Sequence, residues 1–209
     1  GDTATDSHKE LPVVDAGLQR LRDTEFPPFQ QAIRYGVASL MTAHVLYRAL
    51  DPEAPATLSS AVIQRLLREE FRYEGVVFTD DLEMHAIIDH DGIGEAAVRS
   101  FVAGCDVLLI CKDQDRVMTA MQAMERAVKD GRVTQERLDQ SLARVAKLKA
   151  RYLHPYKPVT ISDARLVVGC RSHKVLLDSW HKAYARIPKP TLVERGQAAP
   201  AHDSPVTHV

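Results

Sequence analysis

The chain has 209 residues and 23.3 kDa, with 45% hydrophobic and 26% charged residues, the usage of one globular domain or a little more and not of a wholly disordered chain. Twenty-seven Lys and Arg stand against 28 Asp and Glu for a net charge of −1, without the basic excess of proteins that coat nucleic acid. The longest apolar runs, such as Val107–Ile110, fall far short of the roughly 18 residues of a membrane helix, and no secretory-signal pattern is visible.

In chain order, the first feature is a polar, turn-rich stretch, Gly1 to His8, which follows no strand. The chain is therefore expected to be the C-terminal part of something longer. A helix with a Pro-rich start is predicted around Pro28 to Arg34. Three short runs then read as strands: Val37–Met41, Gly75–Phe78 and Asp106–Ile110. They are nearly continuous in apolar character, as in a parallel sheet covered on both faces. Between them, Ser59 is placed to cap a helix carrying Val62, Ile63, Leu66, Leu67 and Phe71 on one stripe and ending near Gly75. A short helix is predicted over Gly94–Ala103. Asp113 or Asp115 opens the next, with Val117, Met118, Met121, Met124 and Val128 turned inward and Gly131 as its stop. Thr134 caps another that carries Leu138, Leu142, Val145 and Leu148. One or two helices are expected between Ser162 and Tyr184, and the Pro- and Ala-rich stretch from Ile187 to Val209 reads as a disordered tail. The three cysteines, Cys105, Cys111 and Cys170, sit at no metal-ligand spacing and fit small buried thiols in a reducing compartment.

Strand–helix alternation argues for a parallel α/β fold. The strands begin near residues 37, 75 and 106, a repeat of about 30 to 38 residues, close to the roughly 31 per unit of a (β/α)₈ barrel. The expected architecture is the C-terminal part of a TIM barrel, about its last three units with the loop and helix before them. Residues 1–152 would form that partial catalytic domain, 153–186 a helical extension and 187–209 the tail.

In parallel α/β proteins the chemistry lies at the C-terminal ends of the strands. Those ends supply His44, then Thr79-Asp80-Asp81-Leu82-Glu83, then Cys111-Lys112-Asp113. Asp80 is the first polar residue to emerge from its strand, and a carboxylate there costs desolvation unless it is bonded or used. The competing reading is that Asp80 or Asp81 merely caps the helix through Leu82, Met84 and Ile87. In Asp6-Ser7-His8 a carboxylate two residues from an imidazole can fix its tautomer and raise its pKa, or the three can form an ordinary exposed turn. His85, His90 and Asp91 read as solvated loop residues rather than a metal site, and no metal or cofactor is expected.

Taken together, Gly1-Asp2-Thr3-Ala4-Thr5-Asp6-Ser7-His8, Leu11-Pro12, Met41-Thr42-Ala43-His44-Val45, Pro55-Ala56-Thr57-Leu58-Ser59, Gly75 to Met84, Gly92-Ile93-Gly94-Glu95-Ala96-Ala97 and Ala103-Gly104-Cys105-Asp106 resemble a family 3 glycoside hydrolase. Within it they resemble the bacterial β-N-acetylhexosaminidases of peptidoglycan recycling, over roughly residues 1 to 150. The resemblance implies that Asp80 is the nucleophile, His8 the general acid/base and Asp6 its support, in a retaining double displacement. It adds His44 and Met84 as sugar contacts and places the main sugar-gripping residues before Gly1. It implies a cytoplasmic enzyme, monomeric when complete, acting on small muropeptide sugars of the GlcNAc-anhydroMurNAc type, with no nucleic-acid or membrane partner. The alternatives are a glycoside phosphorylase of the same family, since a His donor repels phosphate less than a carboxylate would, and an inactive fragment lacking the sugar-binding half.

Overall fold

The computed structural model describes residues 3, 6 and 10–184. The chain divides into two compact units, residues 1–154 and 155–209. In the first unit, strand β1 (Val13–Val14) leads into a helical stretch made of α1 (Leu18–Arg20), a π-helical segment (Leu21–Glu25) and α2 (Phe26–Arg34). The helix thus begins ten residues before the predicted start at Pro28. Its buried face explains the extension. Leu21 and Phe26 are both buried, and Phe26 packs edge-to-face on Phe71 at 5.4 Å between ring centroids. The bidentate pair of Arg22 with Glu70 pins the same helix.

Strands β2 (Ser39–Met41), β4 (Val76–Asp81) and β5 (Val107–Leu109) form a parallel three-stranded sheet in the order β2-β4-β5. The α/β class with a parallel sheet is therefore what the chain adopts. β2 and β5 lie within their predicted runs and β4 extends three residues past its own to Asp81, and of the three only β4 holds buried residues. β2 is an edge strand whose Met41 is 57% exposed. A second, two-stranded parallel ladder pairs β1 with β3 (Leu46–Tyr47), in register Val13↔Leu46 and Val14↔Tyr47. Two-residue strands carry no periodicity, which is why the sequence did not reveal them.

Between β2 and β4 the chain makes a 3₁₀ turn (Ala56–Leu58) and a π-helix (Ala61–Glu70). Ser59 Oγ accepts the Val62 N–H at 3.2 Å, as a cap should, and donates to Asp51 at 2.6 Å. After β4 comes α3 (His85–Ala103), longer than the predicted Gly94–Ala103 and broken at Gly92, whose φ of 68° and ψ of 155° only glycine tolerates. It ends at Gly104, where the backbone turns through φ 126°. Helix α4 (Gln114–Lys129) is capped by Asp113, and α5 (Gln135–Leu153) by Thr134.

The expectation for the α4 stripe needs correcting. Ala120 and Ala127 are the buried residues of that helix, because small side chains let it lie close against α3. Met118 and Met121 are about half exposed. On α5, Leu142 is exposed and the inward face holds Arg137, Ser141 and Arg144 beside Leu138. These polar groups converge on Asp106, whose side chain is fully buried and paired with Arg68, Arg137 and Arg144. Of the cysteines, only Cys105 is buried, and Cys111 is exposed.

In the second unit, α6 (Ile161–Val167) is capped by Thr160, and α7 (Arg171–Tyr184) keeps Val175, Leu176, Leu177 and Trp180 exposed. Residues 187–209, expected to form a disordered tail, lie outside the described residues. Among the described residues no helix is long and apolar enough to cross a membrane.

Candidate active site

Because the sheet is parallel, β2, β4 and β5 deliver their last residues to one rim. There β4 departs from regular pairing. Phe78 faces Val107 and Asp81 faces Leu109, so three steps along β4 match two along β5. The extra residue is a bulge, and bulges re-aim the side chains they carry. The buried Thr79 hydroxyl repairs the ladder by accepting the Leu109 N–H at 2.9 Å. Asp80 follows at once. It is half-buried, and its Oδ1 accepts the Asp81 N–H at 2.8 Å.

Neither aspartate caps α3. The N-cap position is Met84, which makes no side-chain cap bond. Asp81 instead shapes the turn that precedes it, Oδ1 accepting the Glu83 N–H at 3.1 Å. Capping therefore leaves the Asp80 carboxyl unexplained. Met84 is nearly buried, and its N–H donates to the Asp81 carbonyl at 3.1 Å.

His44 has no exposed surface. Its Nε2 lies 2.9 Å from the Asp81 carbonyl oxygen and its Nδ1 2.8 Å from the Thr57 hydroxyl. Burial pushes the ring's pKa down from its ordinary value, against the opposing pull of the Asp81 carbonyl and the carboxylates of Asp80 and Asp81. The ring is buried with both nitrogens engaged, so no polar atom of the expected sugar contact at His44 is left unpaired.

Two further residues build the rim; the sequence placed them only within longer motifs, with no role of their own. The first is Thr57, fully buried in the 3₁₀ turn behind His44. The second is Glu83, whose carboxylate accepts the N–H groups of Lys112 and Asp113 at 2.6 and 3.2 Å and pairs with Arg116. It ties the loop after β4 to the loop after β5. A hydroxyl inside an apolar run and a third acidic residue after two aspartates were the available signals. The pKa of the exposed Cys111 thiol is pushed up by local desolvation and then by the charges of Asp81 and Glu83.

Asp6 is half-buried and its carbonyl accepts the Glu10 N–H at 3.3 Å. His8 lies outside the described residues. His85 and His90 are on α3, with His85 Nδ1 3.0 Å from Asp89 Oδ2. Among the described residues no group of three His, Cys, Asp or Glu side chains is placed to hold a metal ion.

Over residues 1–148, nearly all of the first unit, the sequence matches the glycosyl hydrolase family 3 N-terminal domain. The chain belongs to glycosyl hydrolase family 3. Among its relatives, the β-hexosaminidase A of Pseudoalteromonas piscicida is 33% identical over 194 residues, covering 84% of this chain and 32% of the relative. A solved structure of a family 3 β-N-acetylglucosaminidase from Paenibacillus sp. str. FPU-7 is 44% identical with a TM-score of 0.75, covering 81% of this chain and 32% of that one. The β-glucoside phosphorylase BglX is 26% identical with a TM-score of 0.74, covering 82% of this chain and 33% of that one. The chain spans about a third of the length of these relatives.

Proposed function

We propose that the protein is an exo-acting, retaining β-N-acetylhexosaminidase that removes terminal β-1,4-linked N-acetylglucosamine from peptidoglycan-derived muropeptides in the cytoplasm. The observation that carries the reading is Asp80, a carboxyl on the bulged C-terminal end of the central strand, with no capping duty, in a family 3 chain whose similar proteins include β-hexosaminidases. In this proposal the first unit is the C-terminal part of a (β/α)₈ barrel.

The chemistry follows from the groups. Asp80 attacks the anomeric carbon while the His8 imidazolium, supported by Asp6, gives its proton to the departing glycosidic oxygen. The carboxylate also offsets the positive charge that grows on the ring in the transition state. Water then attacks the same carbon, His8 takes its proton, and the Asp80 ester bond breaks to release the sugar with its configuration retained. Most retaining glycosidases use two nearby carboxyl groups; here a His–Asp pair stands in for the acid.

The test is Asp80→Asn in the full-length protein, assayed on an aryl N-acetyl-β-glucosaminide. Turnover is expected to vanish while the melting temperature holds. Retention of more than a few per cent of wild-type kcat would sink the assignment, since a lost nucleophile costs several kcal/mol of barrier. The phosphorylase likeness supports a second reading, in which phosphate replaces water as acceptor. Running the same assay in phosphate separates the two, because only that reading yields a sugar 1-phosphate.

A further inference from the structure

His44 sits two residues beyond Thr42, where the chain leaves β2, and reaches across the rim to the end of β4. The Asp81 carbonyl it meets is used twice, accepting the Met84 N–H at 3.1 Å and facing His44 Nε2 at 2.9 Å. A carbonyl oxygen only accepts, so Nε2 must carry a proton. Burial keeps the ring neutral, which leaves Nδ1 bare and in need of a donor. Thr57 Oγ1, at 2.8 Å, is that donor. The Thr42 hydroxyl lies 2.9 Å from Thr57 Oγ1, and the Ala43 carbonyl lies 3.1 Å away. The shorter approach and the otherwise unsatisfied Nδ1 assign the single Thr57 proton to His44, and Thr42 can donate to Thr57 in turn. The relay Thr42–Thr57–His44–Asp81 thus joins the loop after β2 to the residue beside Asp80.

We infer that His44 is a positioning residue for the reaction at Asp80: locked by Thr57 as the Nε2–H tautomer, it holds the Asp81 carbonyl and with it the bulge that aims the Asp80 carboxyl. The inference rests on the proposed role of Asp80. His44 touches no sugar and transfers no proton. Its work is to stop the last turn of β4 from relaxing toward regular pairing, where the side chain of residue 80 would point elsewhere. Misplacing a reacting group by about 1 Å costs on the order of 10²-fold in rate.

The experiment compares full-length wild type, His44→Phe, His44→Gln and Thr57→Val on an aryl N-acetyl-β-glucosaminide, with ring ¹⁵N NMR of wild-type His44. Phe fills the space without hydrogen bonds, whereas the Gln amide can still donate to the Asp81 carbonyl. His44→Phe is expected to lower kcat by about 10²-fold with KM nearly unchanged. Thr57→Val should give a smaller loss of the same kind, and His44→Gln should recover part of it. A rise in KM at constant kcat would overturn the inference in favour of sugar binding. If His44→Phe fails to fold, the NMR decides. Nε2–H and a neutral ring well below pH 6.5, where an exposed histidine protonates, support the lock. Nδ1–H, or protonation near that pH, refutes it. Absent turnover in the wild type counts instead against the reading of Asp80, and is told apart from a failed lock, which leaves wild-type turnover normal and His44→Phe unimpaired.

Discussion

At the scale of single residues, His44 and His8 are two imidazoles with opposite requirements. His44 is buried neutral, so its folded pKa lies below the ordinary 6.5. The unfolded chain then binds the proton that the folded one refuses, and stability rises with pH through the range just below 6.5. Its contribution is fully present above pH 6.5 and is lost as pH falls toward the lowered folded value. Denaturant unfolding across pH 5 to 7 should show this slope in the wild type and a flatter one in His44→Phe. In the proposed mechanism His8 must instead be charged when the leaving group departs. His8→Ala should slow substrates with poor leaving groups by about 10² to 10⁴ while sparing activated aryl ones, because an acid contributes only where the oxygen needs a proton. Equal losses on both substrate types would mark His8 as a sugar contact. The sequence made Asp80 legible because a polar residue ending a buried run is conspicuous. It could not separate capping from catalysis, since that depended on where Met84 and the Asp81 turn fell. His44 was visible as a strand-end residue, but its burial depends on Thr57, 13 positions away, and no local pattern reports such a contact.

At the scale of elements, the sheet is held from below by Asp106 at the entry to β5. Its carboxylate accepts Arg68 Nη2 and the Val77 N–H on one oxygen, and Ser141 Oγ and Arg144 on the other. One residue so joins β4, β5, α5 and the π-helix. Burial pushes the Arg68 and Arg137 guanidiniums below their ordinary pKa, and the charge of Asp106 opposes the shift. Removing the anion leaves the buried Arg68 and Arg137 without a counter-charge, so Asp106→Ala should destabilise the protein by about 3–5 kcal/mol. The bidentate Arg132–Glu95 pair provides the control, with side chains 51% and 42% exposed. Arg132→Ala should shift the denaturant midpoint far less, its ion pair being screened by solvent. Similar losses in the two variants, read from denaturant midpoints, would show that the Asp106 cluster is not a structural hub. The contrast also explains what patterning missed. Apolar periodicity located the π-helix Ala61–Glu70, α4 and α5 but not α1, the π-helical segment Leu21–Glu25 or the first half of α3, and even α5 faces inward through Arg137, Ser141 and Arg144 as much as through Leu138. On α4, Ala120 and Ala127 are buried against α3 with Met124 beside them, whereas Met118 and Met121 are exposed. Periodicity finds a helix, but partner charge and close packing decide which face is buried.

At the scale of the whole molecule, the question is whether three parallel strands can stand as a folded sheet. Among the described residues nothing pairs with the outer edge of β2, and Met41 there is largely exposed. The outer side of β5 opens onto an apolar groove lined by Leu108, Ile110, Val117, Met121 and Met124. Unpaired edges template association with other chains, and a contiguous apolar surface does the same without directionality. Domain stability is only about 5–15 kcal/mol, so contacts missing from both edges and from the α4 face weigh heavily against it. The 209-residue chain expressed alone is therefore expected to self-associate, to melt without a single cooperative transition, and to leave a chromogenic N-acetylglucosaminide unhydrolysed. Light scattering, calorimetry and the chromogenic assay on one preparation read all three. A cooperative monomer with turnover near that of a full-length family 3 relative would mean that the 209 residues satisfy both sheet edges and complete the sugar site by themselves. The open sheet would then be a finished architecture.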